Sequence, residues 1–459
     1  DVLELVCEAV GCSDKVATLL ALRACSGAWA EAVSGVMHRV FVLAFDERNA
    51  AHDFAMAPVV ASKPAAARLC VVSQPYGAVR HWLRRIPSSV LRACHPRRMA
   101  ADCKMALAHV RAPSALHFHR NCSAVSDEVA VAIASGSGGA IELLRFDDTT
   151  LTATAAAIFA GMASLTKVAV NGLQTLADDA LIALARGCQG LRHLDVKRTA
   201  VSSDAFVAAA PHMPLLTHLD VSSTSHVADG AICAIAAHCP QLETLNVSDT
   251  SGRITDRGIS ALAEQSVRLT SLNVEQTRGR VTNASVIAVA QRCPQLRHLN
   301  VSTTGGAVGD AALEAVARHC PLLESLNVSL ASGVTDAGVV AIARSCPGLT
   351  EIDMSAIGSG LTAASLVALA VHCEHLRTLD VTLTRRCVTE ESLGVMEQHC
   401  RNLVRVRMSV AGSDVAVSSA IAVAKRNPHL TYFAVKGTVK KTAESVAAME
   451  RELPGVGWI

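Results

Sequence analysis

One apolar signature, Leu-x-x-Leu-x-Val, recurs along this chain. Its clearest copies are Leu191–Val196, Leu216–Val221, Leu242–Val247, Leu269–Val274, Leu296–Val301, Leu323–Val328, Leu349–Met354 and Leu376–Val381. Weaker copies stand upstream at Val168/Val170, Leu144/Phe146 and Leu116/Phe118, and downstream at Val406/Met408 and Phe433/Val435. The period is about 24–28 residues, mostly 26 or 27. Alternating Leu and Val predict a short strand with one buried face. A polar turn follows, such as Ser248–Arg253, and then a helix. The helix openings form a column of hydroxyls: Ser126, Thr152, Ser202, Thr255, Thr282, Thr335, Thr362, Thr389 and Ser418. A hydroxyl there satisfies an orphan N–H of the first helical turn. Asp256, Asp310 and Asp336 come next, where the helix dipole favours a negative charge. Val339, Ile342 and Ala343 then carry the apolar face at helical spacing.

No such unit can bury its apolar face alone, and stacking the units builds one continuous core. The expected architecture is α/β: a curved solenoid with parallel strands on the concave face and helices on the convex one. About thirteen strands at about 4.8 Å would span roughly 60 Å. A second column supports the register. Cys188, Cys239, Cys293, Cys320, Cys346, Cys373 and Cys400 each lie three residues before the Leu that opens the next copy. Met213 and Ser266 fill the same slot elsewhere, so the slot asks for a modest buried side chain.

Signature, period and cysteine column together resemble the cysteine-containing class of leucine-rich repeats that is common in F-box proteins. The resemblance covers roughly residues 110 to 436. One departure is the second Cys of that class, in the turn after the strand, which is mostly Ser, Thr or Ala here. The expected layout is a helical segment over 1–40, a helical linker or cap over 41–110, repeats over 111–436 and a C-terminal cap over 437–459. Trp458 and Ile459 are placed to cover the edge of the last repeat.

Residues 1–40 read as short helices with Leu3, Val6, Val10, Leu19, Leu22 and Trp29 facing inward. This stretch looks like an F-box: Leu3, Leu5 and Val6 match its first element, Leu19, Leu20 and Leu22 the second, and Ser26 with Trp29 the third. The Leu-Pro step of the family is absent. The resemblance implies that Leu3, Leu5, Val6 and Trp29 dock a Skp-type adaptor. The plainer expectation for the same helices is a cap on the first repeat. Five prolines mark residues 40–110 as short helices and turns, and the basic run Arg80–Arg85 with Arg97 and Arg98 reads as a solvated surface, with a docking patch as the alternative.

Composition narrows the function. Of 459 residues, 51% are apolar and 18% charged, the make-up of an ordered, core-forming chain. A net charge of +2 leaves no electrostatic footprint for nucleic acid. No apolar run is long enough for a transmembrane helix, and the opening residues do not read as a signal peptide. Unpaired thiols and the lack of any CxxC point to a reducing compartment, cytoplasmic or nuclear. Four His-Cys pairs, such as His319-Cys320, raise zinc, but zinc needs four ligands converging on one point, and these pairs lie in different repeats. No nucleophile elbow or phosphate loop occurs, so neither enzymatic activity nor a cofactor is expected. Sequons at Asn246, Asn300 and Asn327 fall inside strands and belong to the repeat.

A binding role then falls to the concave face. The residue between the last Leu and Val of each copy points outward: Asp195, Asp220, Asn246, Asn273, Asn300, Asn327, Asp353, Asp380 and Arg407. The regular Asn stretch also fits a structural hydrogen-bond ladder. Contact candidates are His193, Asp195, Lys197, His218, Asp220, Glu351, Asp353, Asp380, Arg405 and Arg407. Two roles are open. One is the substrate-recognition subunit of a ubiquitin ligase, with a Skp-type adaptor and a target protein as partners. The other is a structural subunit of a large axonemal, cytoskeletal or ribonucleoprotein assembly, with a cytoskeletal or flagellar location.

Overall fold

The computed structural model describes residues 40–44, 67–72, 113–118, 127–136, 141–147, 152–172, 178–409, 415–436 and 457–458. Leu3, Leu5, Val6 and Trp29 lie outside the described residues, as does Ser126. The chain divides into two units, residues 1–216 and residues 217–459.

In the first unit, parallel strands succeed one another in chain order: β1 Val40–Ala44, β2 Ala67–Val72, β3 Pro113–Phe118, β4 Leu143–Asp147, β5 Lys167–Asn171 and β6 His193–Asp195. Helices α1 Asp127–Gly136, α2 Ala153–Ala160, α3 Asp178–Gly187 and α4 Ser203–Ala209 alternate with the later strands. Strands β1 and β2 fall where the sequence predicted short helices and turns. Their sequences, VFVLA and ARLCVV, are short apolar runs rich in β-branched residues, which suit a buried parallel strand.

The second unit repeats the same step with greater regularity. Strands β7 His218–Asp220, β8 Thr244–Asn246, β9 Ser271–Asn273, β10 His298–Asn300, β11 Ser325–Asn327 and β12 Glu351–Asp353 are followed by β14 Thr378–Val381, β16 Arg405–Ser409 and β17 Tyr432–Lys436. All pair in parallel, residue opposite residue, as in Leu272↔Leu299↔Leu326. The backbone of β18, Gly457–Trp458, adds to Tyr432 and Phe433. A short side ladder joins β13 Gly358–Thr362 to β15 Thr384–Arg386. Helices α5 Asp229–His238, α6 Asp256–Gln265, α7 Asn283–Arg292, α8 Asp310–His319, α9 Asp336–Ser345, α10 Ala363–His372, α11 Glu390–His399 and α12 Val417–Lys425 alternate with the main strands.

The core is the apolar signature itself. In one repeat Leu323, Leu326 and Val328 are fully buried, as are Val339, Ile342 and Ala343 of the helix that follows. Each of these Leu, Val and Ile side chains gains roughly 1.5–3 kcal/mol from leaving water. No helix among the described residues is long and apolar enough to cross a membrane.

The cysteine column is buried, and its thiols bond from repeat to repeat. Cys293 Sγ donates to Ser266 O at 3.5 Å, Cys320 Sγ to Cys293 O at 3.6 Å and Cys346 Sγ to Cys320 O at 3.5 Å. Burial pushes the Cys293 thiol up to about 11 and the Cys346 thiol up to about 12. They stay protonated at neutral pH, and the protonated thiol is not the nucleophilic form. Ser266 in the same slot is buried with its hydroxyl unpartnered, because Oγ sits closer to the backbone than Sγ would. Ser266→Cys therefore stabilises the protein by about 1 kcal/mol, since it removes an orphaned buried hydroxyl. A urea midpoint at or below wild type would overturn this expectation.

The hydroxyl column caps the helices at Thr152, Ser202, Thr255, Thr282, Thr335, Thr362 and Thr389. Ser418 is a correction: α12 begins at Val417 and its cap is Ala416. The Glu390 carboxylate of the preceding repeat takes the Ala416 N–H and the Ser419 hydroxyl, the latter at 2.5 Å, so the helix starts earlier.

That replacement exposes a general device. The first-turn Asp of one helix caps the next helix. Asp229 accepts from Thr255 N at 2.8 Å and Thr255 Oγ1 at 2.6 Å. Asp256 does the same for Thr282, Asp310 for Thr335 and Asp336 for Thr362. Where that position is Ala363, the following Thr389 instead forms a capping box with Ser392. The repeats are thus stapled by carboxylates along their helix starts as well as by apolar burial.

Candidate functional site

In the eight repeats from β6 to β14 the strand carries, at or next to its end, an Asn or Asp whose first task is structural. The side-chain oxygen of Asp220 accepts the Ser222 N–H at 2.8 Å, that of Asn246 the Ser248 N–H at 3.1 Å, and that of Asn300 the Ser302 N–H at 3.0 Å. Asp195, Asn273, Asn327, Asp353 and Asp380 repeat the bond. This Asx turn stops the strand and starts the polar loop. It explains why the column admits only Asn and Asp through these eight repeats. It also holds the sequon residues Asn246, Asn300 and Asn327 in the ladder. Only the second oxygen or nitrogen of each residue is left for other work. Asn246 Nδ2 spends it on Asp220 at 3.0 Å, and Asn300 Nδ2 on Glu275 at 3.2 Å.

Three residues beyond that column the backbone turns left-handed in every one of these repeats. The residues are Arg198, Ser223, Asp249, Gln276, Thr303, Leu330, Ala356 and Leu383, with φ between 53° and 59°. A side chain there costs roughly 1–2 kcal/mol against the right-handed region, less for Asn or Asp. The residue after it is a buried Thr in most repeats. Thr199, Thr304 and Thr384 each bond the carbonyl three residues back at 2.6, 3.0 and 2.6 Å. These threonines occupy the turn position where the sequence lacked the second cysteine.

The sequence candidates separate into groups. In the first unit, His193, Asp195 and Lys197 share β6 and its turn, with Lys197 Nζ 3.4 Å from Asp195. In the second unit His218 and Asp220 lie on β7, and Thr217 Oγ1 stands 2.7 Å from His218 Nδ1. Further along the same unit, Glu351, Asp353, Asp380, Arg405 and Arg407 come together in an open depression of about 250 Å³ on the strand face. Ser325, Asn327 and Thr378 complete its polar lining.

Register explains how that depression forms. Glu351, Thr378 and Arg405 are consecutive partners in one row, and Asp353, Asp380 and Arg407 in the next. In the first row the small Thr378 separates an exposed carboxylate from an exposed guanidinium. They stand two strand spacings, about 10 Å, apart along the row, and no ion pair joins them in the structure. In the second row Arg407 reaches Asp380 at 3.5 Å and lies 5.4 Å from the Tyr432 ring centroid, which orients its guanidinium. Arg405 has no ion-pair partner among the described residues. The floor is apolar backbone-side packing of Leu326, Ile352 and Leu379, all buried. Such a surface can pair charged side chains of a ligand; it offers no activated nucleophile.

A family model described as a leucine-rich repeat matches residues 238–263 and 319–343. No curated protein matches the sequence. Among solved structures, a chain of the Rad7 and Elc1 complex in yeast aligns with a TM-score of 0.56 at 17% identity, over 79% of this chain and 93% of that one. An internalin from Listeria monocytogenes aligns at 0.45 and 14%, over 79% and 93%. A chain of the TLR13–ssRNA13 complex aligns at 0.40 and 14%, over 73% and 57%. At 17% identity the first likeness concerns the fold alone. The chain carries leucine-rich repeats, and its fold is the leucine-rich-repeat solenoid of parallel strands alternating with helices.

Proposed function

We propose that this protein is a non-enzymatic scaffold that holds a protein target on its strand face, as the substrate-recognition subunit of a ubiquitin ligase. The observation that carries the binding role is the depression at Glu351, Asp353, Asp380, Arg405 and Arg407. There the strand face gathers opposite charges that it does not fully pair internally. The F-box resemblance of residues 1–40 supplies the ligase half of the reading, with Leu3, Leu5, Val6 and Trp29 docking a Skp-type adaptor. A chain of similar fold is held in a two-protein complex, that of Rad7 and Elc1. The protein would do no chemistry itself. It would raise the local concentration of its target beside a conjugating enzyme.

A pull-down of the full chain with a purified Skp-type adaptor tests the ligase half. The adaptor is retained by the wild type. Leu5→Asp and Trp29→Ala each reduce retention at least about tenfold, the size expected for a buried anchor. No retention by the wild type overturns the ligase role. Stable co-purification with a large particle, without adaptor, would reassign the chain to a structural subunit.

A further inference from the structure

The left-handed turn column changes character within the second unit. Through Arg198, Ser223, Asp249, Gln276 and Thr303 it is polar, as an exposed, strained backbone position should be. It then becomes Leu330, Ala356 and Leu383 in three successive repeats. Leu330 is 53% exposed and Leu383 66% exposed. Neither burial nor backbone preference accounts for leucine there: Gly or Asn would relieve the φ strain, and any polar residue would suit the solvent. The three residues occupy neighbouring rungs, since Leu330 N bonds Ser355 O at 2.9 Å and Ala356 N bonds Thr382 O at 2.8 Å. They form a continuous apolar edge.

That edge belongs to the repeats whose strands β11, β12 and β14 line the charged depression. It stands three residues beyond Asn327, Asp353 and Asp380. Among the described residues, apolar side chains enter the turn column in these three repeats alone, beside the charged depression. The left-handed turn itself is common to all eight repeats; what singles these three out is contiguous exposed apolar area, which marks contact surfaces.

We propose that the edge Leu330–Ala356–Leu383 and the depression beside it form one docking surface for a peptide segment of a protein partner. The segment is amphipathic. Its apolar side chains cover the leucine edge. An Asp or Glu is seated on Arg405 and Arg407, and a basic residue lies about 10 Å away against Glu351 and Asp353, two strand spacings along the row. Charge complementarity sets this choice: Arg405 is exposed and has no ion-pair partner among the described residues, and Asp353 has committed one oxygen to the Ser355 N–H at 2.9 Å. The surface deepens the scaffold role proposed above and rests on it, but it does not depend on the adaptor.

The test uses the full chain as bait for a displayed library of random dodecapeptides, with affinities of enriched peptides measured by fluorescence anisotropy. Enriched peptides are expected to combine apolar residues with an acidic one. Leu330→Asn/Leu383→Asn should weaken their binding at least about tenfold, as loss of apolar anchors does. The same double variant should melt at or above the wild-type temperature, because Asn tolerates the left-handed region. Loss of binding therefore cannot be laid to misfolding. Arg405→Glu should also weaken binding, and replacing the peptide's acidic residue by Lys should restore it. Failure to enrich any peptide, or peptides indifferent to all three substitutions, overturns the proposal. So does a wild-type dimer in sedimentation that Leu330→Asn/Leu383→Asn dissociates, which assigns the edge to a second copy of this chain. A failed adaptor pull-down with peptide binding intact sinks the ligase role and leaves this surface standing.

Discussion

Leu272→Ala lowers the stability of the 217–459 unit by about 3 kcal/mol, within the range of about 2–5 kcal/mol for deleting a buried leucine side chain. Leu272 is 1% exposed and stands in register between Leu245 and Leu299, so its neighbours cannot close the gap without shifting their own strands. The loss is transfer free energy plus a cavity. Its spread is as informative as its size. A stacked array is stabilised by each repeat and by its contacts with the next one along, so damage propagates by nearest neighbours. Amide hydrogen exchange should quicken most at β8, β9 and β10 and least at β16 and β17. Uniform acceleration across the unit, or a change below about 1 kcal/mol in urea unfolding, contradicts this picture of the core.

Most strand and cap positions of the repeats were legible because they depend on local rules; β1, β2 and the cap of α12 were not. Alternation at Leu323–Val328 needs only the two-residue strand period, and Thr335 before Asp336 needs only the orphan N–H groups of one helix. The cysteine column was legible as a buried slot through Met213. Its hydrogen bonds to the carbonyl of the preceding repeat were not, since they depend on stacking distance. Asp256 and Asp336 were read as partners of their own helix dipoles. Their main bonds go to Thr282 and Thr362, 26 residues away in both cases. The signal was present as an Asp one period ahead of a Thr, but only the register of stacked helices gives it meaning. The left-handed column escaped because it contains no Gly or Asn in Arg198, Gln276 or Leu330. Tertiary hydrogen bonding imposes that conformation against local preference. Among the contact candidates, sequence alone could not separate Glu351 and Arg405, exposed on the face, from Asp353 and Asp380. The latter two owe their identity first to the Asx turn.

Asp336→Ala lowers stability by about 2–3 kcal/mol at pH 7. The carboxylate accepts Thr362 N at 2.9 Å, Thr362 Oγ1 at 2.6 Å and Ser365 Oγ at 2.5 Å. Each charge-assisted bond contributes roughly 1.5–3 kcal/mol where it is fully desolvated. The site is only partly buried, so water replaces part of what is lost and the sum is discounted accordingly. Burial alone would raise the Asp336 carboxyl; the hydrogen bonds from Ser365 and Thr362 outweigh it and hold the group below its ordinary value of 3.8. Asp256 is depressed in the same way, with Ser285 and Thr282 as donors. A group whose pKa is lower folded than unfolded stabilises the fold fully above the unfolded value. It loses that contribution as pH falls through 3.8 toward the folded value. The wild type should therefore lose stability steeply below about pH 4, and Asp336→Asn should flatten that slope, because an amide has no proton to gain. Asn at this position retains one bond, as Asn283 does with Gly309 N at 2.8 Å, so its cost at pH 7 is smaller than that of Ala. Urea unfolding of wild type, Asp336→Asn and Asp336→Ala at pH 7 and pH 3.5 decides the matter. If the gap between wild type and Asp336→Asn is as wide at the lower pH as at the higher, the carboxylate is not the staple between these repeats.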